Sequence, residues 1–320
     1  MTLQDLSLPY SLPRPQLARA EIFLLGQTFA VAAIALLIAL MHDVPVAWGA
    51  FCASFLPAIG LLILGVWMRD RRPGMARISD LAISAAVYIG FSGVIAILIY
   101  TRFPIDGPLH DTTLSRIDAA LGYSWEGFIA GLAEHPKIAM TLRWVYLSSL
   151  PQLALMIVFL AATGQTAMLH RAMIAGTTSL IGIVMVWWYF PRLGPSTLTM
   201  IAPEIAEKIG LVHAEEEGAR LLSLAKDGAP LIHPGMIMGT IAFPSYHTVM
   251  LLTVLWYLRH SKVFWPALGV NLGMIPAILG HGAHHLADVL VATIPFALAA
   301  WLATVLVPIK KGASFGRHAP

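Results

Sequence analysis

Apolar and polar positions alternate in long blocks along this chain. Runs of about 15 to 23 apolar residues cover roughly 22–41, 46–67, 80–101, 142–163, 168–190, 245–259, 263–281 and 286–307. A bilayer core of roughly 30 Å needs about 20 such residues in a helix, so eight crossings are expected, all of them helical because lipid offers no partner for free backbone groups. The run at 245–259 is short and the one at 263–281 contains proline. Between the runs lie two longer polar stretches. Residues 102–141, with "IDAALGYSW" and "EHPKI", read as a surface or re-entrant helical element. In 191–243 the spacing of Ile205, Ile209, Val212, Leu221 and Leu222 predicts amphipathic helices.

Composition agrees with that pattern. The chain has 320 residues, 58% hydrophobic and only 12% charged, with a mean hydropathy of +0.76, against about 25% charged in soluble domains. The first 20 residues are polar and proline-rich, unlike a cleavable signal peptide. The lone Cys52 leaves no internal disulfide to form, and a net charge of +3 gives no reason to invoke nucleic acid. Basic residues instead report orientation. Turns 68–79 and 259–262 are basic, whereas 42–45 and 280–285 have no Lys or Arg. With Arg14 and Arg19 before the first run and Lys310, Lys311 and Arg317 after the last, both termini are expected in the cytoplasm. Trp187 and Trp188 are expected in the interfacial aromatic belt.

That topology gathers three polar segments at the outer face: "YFPRLGPS" (189–196), "FPSYH" (243–247) and "GHGAHHLADV" (280–289). His284 and Asp288 are four apart, the spacing of one helical face. A carboxylate on one imidazole nitrogen fixes the tautomer and makes the other nitrogen a better nucleophile. His247, from another helix, suits a general acid. Ser245 at a helix start and Arg192 suit the oxygens of a phosphate. Together they describe phosphoryl transfer through a phosphohistidine. Blander roles exist for most of them: Ser245 as a helix cap, Arg192 as an interfacial anchor, His281 and His285 as structural histidines, Asp118 and Trp125 as packing or helix-start residues. Two other chemistries use the same residues. His281, His284, His285 and Asp288, at i, i+3, i+4 and i+7, with His247, could ligate zinc, although His-Glu-x-x-His is absent. A proton-coupled transporter would also place His and Asp in the membrane, although no internal repeat is evident.

"PSYH" and "GAHHLADV" resemble the second and third signatures of the type-2 phosphatidic acid phosphatase superfamily, over roughly residues 80–307. "FPRLGP", "DAALGYSW" and "GTIAFPSYHT" resemble more specifically the branch holding the inositol phosphorylceramide synthases and their bacterial relatives. The resemblance implies a six-helix catalytic core (80–307, with outer loops 102–141 and 191–243) behind an N-terminal tail and two accessory spans (1–79), then a cytoplasmic tail (308–320). It implies His284 as nucleophile, Asp288 as its partner and His247 as the acid, and neither metal nor cofactor; Ser245 and Arg192, with His281 in part of the missing cationic role, are the residues read toward the phosphate. It further implies a bacterial inner-membrane protein with its site on the periplasmic face. The chain departs from the pattern. Ala277 and Ile278 stand where Ser-Arg is common, His285 where an aromatic is common, and of the first signature's basic residues only Arg192 remains. Fewer guanidinium groups suit a singly charged phosphodiester better than a monoester. The expected reaction is therefore transfer of a phosphorylated head group from a membrane lipid to a lipid alcohol, with simple hydrolysis of a lipid phosphomonoester or polyprenyl diphosphate as the alternative.

Overall fold

The computed structural model describes residues 17–107, 109–213, 215–236 and 239–309. Arg14, Lys310, Lys311 and Arg317, which entered the orientation argument, lie outside the described residues. The described chain is an all-α bundle in which only an isolated bridge, Val46 with Ile232, departs from helix and turn. Among the described residues five helices are long and apolar enough to cross a membrane: α1 (Arg19–Met41), α2 (Trp48–Arg71), α3 (Ala76–Tyr100), α8 (Thr166–Tyr189), and the nearly continuous α14 (Leu286–Val291) and α15 (Thr293–Leu306). α6 (Pro136–Leu147) and α7 (Ser149–Ala162), bent by 46° at Ser148, make a sixth if the pair is one broken span rather than a re-entrant loop.

The two runs with the weaker pattern are not full-length helices. The run at 245–259 is α11 (Tyr246–Leu258), 13 residues long, or about 20 Å at 1.5 Å per residue. The run at 263–281 splits at Leu272–Gly273 into α12 (Phe264–Asn271) and α13 (Met274–His281). Asn271 gives the break a polar partner: its amide, buried between helices, donates to Gln152 Oε1 on α7 at 2.5 Å.

Which faces are buried follows from composition. In α1 and α2 only 22% and 17% of the apolar window is inside the protein, against 61% in α3. Phe29, Leu37, Leu40, Leu56 and Ile63 are more than half exposed. Helices apolar all round belong against lipid, so α1 and α2 form the rim and α3 the inner wall, where Gly65 lets α2 approach Ile83 and Ser79 of α3. Trp187 corrects the aromatic-belt expectation. It is fully buried, edge-on to Phe103 at 5.6 Å, and its indole N–H donates to the Arg192 carbonyl at 3.1 Å.

The polar stretches fold into short helices at the end of the bundle where α3 and α8 finish: α4 (Asp111–Ala120), α5 (Trp125–Glu134), α9 (Pro203–Ile209) and α10 (Glu215–Asp227). Ile209, Leu221, Leu224 and Ala225 are buried, but Leu222, expected on the apolar side, is exposed: in α10 the buried stripe runs through Leu221, Leu224 and Ala225, three and four residues apart. At the other end a charge cluster ties the rim to the core. Arg69 of α2 pairs with Glu21 of α1 (2.6 and 2.9 Å) and with Asp80 of α3 (2.6 Å). Thr166 Oγ1 donates to Asp80 at 2.7 Å, and His170 of α8 lies 3.4 Å from Glu21.

Candidate active site

The three polar segments meet. Ser245 N–H donates to the Asp288 carbonyl at 3.0 Å, and Gly194 sits so close to Ala283 that a Cβ there would lie 2.6 Å from the Ala283 oxygen. Gly194 has φ +94, a region open to glycine and strained for other residues. That is why the "RLGP" turn can lie against the histidine segment.

The His284–Asp288 contact is present, for a reason different from a shared helical face. α13 ends at His281 and α14 begins at Leu286, so the histidines lie on the turn between them. Asp288 is in the first turn of α14, and its Oδ2 accepts from the His285 backbone N–H at 2.8 Å and from His284 Nδ1 at 3.0 Å. One carboxylate thus caps a helix and orients a ring. The donation fixes the proton on Nδ1 and leaves Nε2 as the free base. Nε2 lies 3.2 Å from the Ser245 hydroxyl. Ser245 is at the N-cap position of α11 but makes no side-chain cap bond; its hydroxyl turns to His284. All three side chains are buried, Ser245 and Asp288 completely.

His247 lies across from this line, ring centroids 6.4 Å from His284, and stacks on Tyr146 of α6 at 4.3 Å. His213, in the connection between α9 and α10, completes the group: its Nε2 is 3.2 Å from the Tyr146 hydroxyl. Burial, with His284 and His281 nearby, pushes the His213 imidazole down to about 4, so it is neutral at neutral pH. Tyr146, His213, His247 and His284 line one partly open cavity of about 30 Å³, with Ser196, Thr240, Gly282 and Ala283 among its other walls. That is room for two or so waters. No Lys or Arg is among the described residues lining it.

The remaining candidates sit around it. Arg192 places its guanidinium over the Phe243 ring, 4.7 Å from the centroid, with Nη1 3.5 Å from the His110 carbonyl. It is not among the residues that line the cavity, whose wall on this turn is the next residue, Leu193. His281 Nε2 donates to the Ala139 carbonyl of α6 at 2.9 Å, which turns its ring away from the cavity. His285 pairs through Nδ1 with Asp118 Oδ2 at 2.7 Å, and Asp118 Oδ1 accepts from Leu286 N–H at 3.2 Å. The stripe at i, i+3, i+4 and i+7 therefore does not exist as one helical face, and among the described residues no three His, Cys, Asp or Glu side chains converge as metal ligands.

Helix α4 is the brace behind both turns. Asp118 holds the histidine turn, while Asp111, one heptad earlier, accepts from Gly194 N–H at 2.7 Å and Leu193 N–H at 3.1 Å. Burial lifts the Asp111 carboxyl above its usual range against the pull of those two donors. Trp125 N–H donates to the Gly280 carbonyl at 3.2 Å, and Tyr123 O–H reaches the His284 carbonyl at 3.4 Å. Burial raises the Tyr123 hydroxyl well above the usual phenol range, which keeps it a donor.

The model of the PAP2 superfamily matches residues 112–303, more than half of the chain. The chain belongs to the PAP2 superfamily. The match begins inside α4, just after Asp111, and spans the Gly194 turn, "FPSYH" and the histidine turn, so the buried line of Ser245, His284 and Asp288 lies inside the family region. It makes this a membrane enzyme of the phosphatase or phosphotransferase type. A search of curated proteins finds no match to the chain, and a search of solved structures finds none.

Proposed function

We propose that this PAP2-superfamily protein transfers a phosphoryl group from a membrane lipid through a phosphohistidine on His284. The observation that carries the reading is the buried line from Asp288 through His284 to the Ser245 hydroxyl, with His247 facing it. His284 Nε2 attacks phosphorus, the bond to the leaving alkoxide breaks, and His247 supplies the proton that alkoxide takes. Asp288 stabilises the cationic ring formed in that step. The Ser245 hydroxyl, which donates to Nε2 in the resting site, turns to a phosphate oxygen once Nε2 bonds to phosphorus. An alcohol or water then attacks the phosphorus, His247 takes its proton, and His284 is restored. A lipid phosphate is larger than the resting cavity, so one of its walls must move for entry.

The absence of Lys and Arg from the described lining favours a donor of low charge. We infer a phosphodiester donor and a lipid alcohol acceptor, as in the inositol phosphorylceramide synthase branch, with Arg192 swinging from Phe243 to the phosphate and His281 in support from behind. Helices α1 and α2 act as accessory spans, and the site opens on the periplasmic face of a bacterial inner membrane. Competition between a lipid phosphodiester and phosphatidate at equal concentration tests the preference. A clearly higher kcat/KM for the monoester sinks the transferase reading and leaves a simple lipid phosphatase.

One observation favours a second nucleophile. Ser245 Oγ, His284 and Asp288 are ordered as hydroxyl, imidazole and carboxylate, the arrangement that activates a serine. In that reading His284 takes the Ser245 proton and the covalent product is a phosphoserine. A phosphohistidine is labile to acid and stable to alkali, and a phosphoserine is the reverse, so the trapped intermediate separates the two.

A further inference from the structure

On the opposite side of the histidine turn lies a second cavity, of about 180 Å³, whose polar walls include Ser115, Asp118, Tyr123, Glu126, Thr199 and His285. It is well above the roughly 10–15 Å³ that one water requires. His285 and Asp118 are 1% and 3% exposed, and their 2.7 Å contact repeats, one residue along the chain, the pairing of His284 with Asp288. Because Nδ1–H donates to Asp118, His285 Nε2 is left as an acceptor, and it is buried with no partner among the described residues. A buried acceptor of this kind is costly unless a donor comes to it.

We propose that this second cavity binds a neutral, hydroxyl-bearing group, a small polyol presented free or as the headgroup of a membrane lipid. Its O–H donates to His285 Nε2, while the Ser115 and Thr199 hydroxyls, able to give or take a hydrogen bond, complete the contacts. The charges select against an anion: Glu126 stands at the wall, Asp118 behind it, and no Lys or Arg is among the described lining residues. An ammonium group is not the favoured ligand, since the Asp118 carboxylate already accepts from His285 and from Leu286 N–H. The inference concerns binding, so it stands apart from the phosphoryl-transfer reading.

The test uses the purified full chain. Phosphatidylglycerol, phosphatidylethanolamine and phosphatidate are titrated and followed by native mass spectrometry, and glycerol is followed by saturation-transfer NMR. The variants are His285→Phe and Thr199→Val; the second leaves the Asp118 pair intact and decides the matter if the first misfolds. One neutral hydrogen bond of about 1 kcal/mol corresponds to about fivefold in affinity. Phosphatidylglycerol should bind at least fivefold tighter than phosphatidate, and each folded variant should weaken it about fivefold while phosphatidate stays within twofold. A glycerol signal lost in the variants, without a lipid preference, assigns the site to a free polyol and supports the proposal equally. The proposal is overturned if neither glycerol nor phosphatidylglycerol responds to Thr199→Val, or if phosphatidylethanolamine or phosphatidate is the ligand that responds. Turnover of any phosphate ester is scored separately, so failure of the transfer reading leaves this result standing.

Discussion

Replacing Asp288 with Asn changes one charge and almost no volume at a completely buried position. Oδ2 now accepts from His285 N–H and from His284 Nδ1–H, and Oδ1 has no partner among the described residues. An Asn carbonyl placed where Oδ2 was keeps both donors but strands its NH2 group, at about 1–3 kcal/mol, and withdraws the negative charge that stabilises the His284 cation. The flipped rotamer is worse for chemistry, because an NH2 facing Nδ1 forces the proton onto Nε2 and blocks the nucleophile. The same substitution in a serine-protease triad lowers kcat by about 10⁴ through the wrong tautomer, which is about 5 kcal/mol of barrier at 1.36 kcal/mol per decade. Asp288→Asn should therefore lower kcat by roughly 10³ to 10⁴ with KM nearly unchanged, since the carboxylate does not touch substrate. Turnover of a labelled lipid is the assay, with circular dichroism and thermal unfolding as controls for fold. Activity within tenfold of wild type in a folded Asp288→Asn protein would refute the orienting role.

Three further outcomes follow from the geometry. Gly194→Ala should cut activity severely, because a Cβ at φ +94 collides with the Ala283 oxygen; wild-type kcat in that variant would mean the turn does not position the histidines. His213 is held below its ordinary 6.5, near 4, so the folded state prefers it neutral. Its contribution to stability is complete above about pH 6.5 and is lost as pH falls toward 4. Denaturation of His213→Gln across that window should show a flatter pH dependence than wild type, and an unchanged slope would count against it. Glu21→Ala takes the bidentate partner from Arg69, which keeps Asp80, so the loss should be about 1–3 kcal/mol, short of the about 3–5 kcal/mol of a buried charge left unpaired; a loss in thermal unfolding below about 1 kcal/mol would show the cluster to be solvated.

The three candidate site segments were legible because topology and motif point the same way: alternating crossings bring 189–196, 243–247 and 280–289 to one face, and a spacing of four pairs His284 with Asp288. Helix breaks were less legible. The run at 245–259 is visibly short and the one at 263–281 carries proline, but the place where the second one breaks is marked by the Asn271–Gln152 contact, 119 residues apart. His213 and Tyr146 escaped for a similar reason. Tyr146 sits inside an apolar run, and His213 falls in an amphipathic stretch whose pattern speaks only for its helices. Asp111 and Asp118 share a spacing of seven on α4, a signal that is readable once α4 is known to pack against the histidine turn. The Glu21, Arg69, Asp80 and His170 cluster is spread over four crossings, and each charge alone reads as a span end. Their common membrane level, fixed by the same topology, was the available clue. Trp187 looked interfacial because nothing in a sequence separates an indole facing lipid from one hydrogen-bonded to a carbonyl inside.

The most direct test of the central claim is to trap the covalent intermediate. The purified protein is mixed with ³²P-labelled lipid donor and quenched within its first turnover in neutral detergent, and separate portions are treated with acid or with alkali before digestion for mass spectrometry. Label on the peptide containing His284, stable to alkali, released by acid, and absent from His284→Ala, is the predicted result. Label on Ser245 that survives acid, or turnover by His284→Ala at the wild-type rate, would contradict the account.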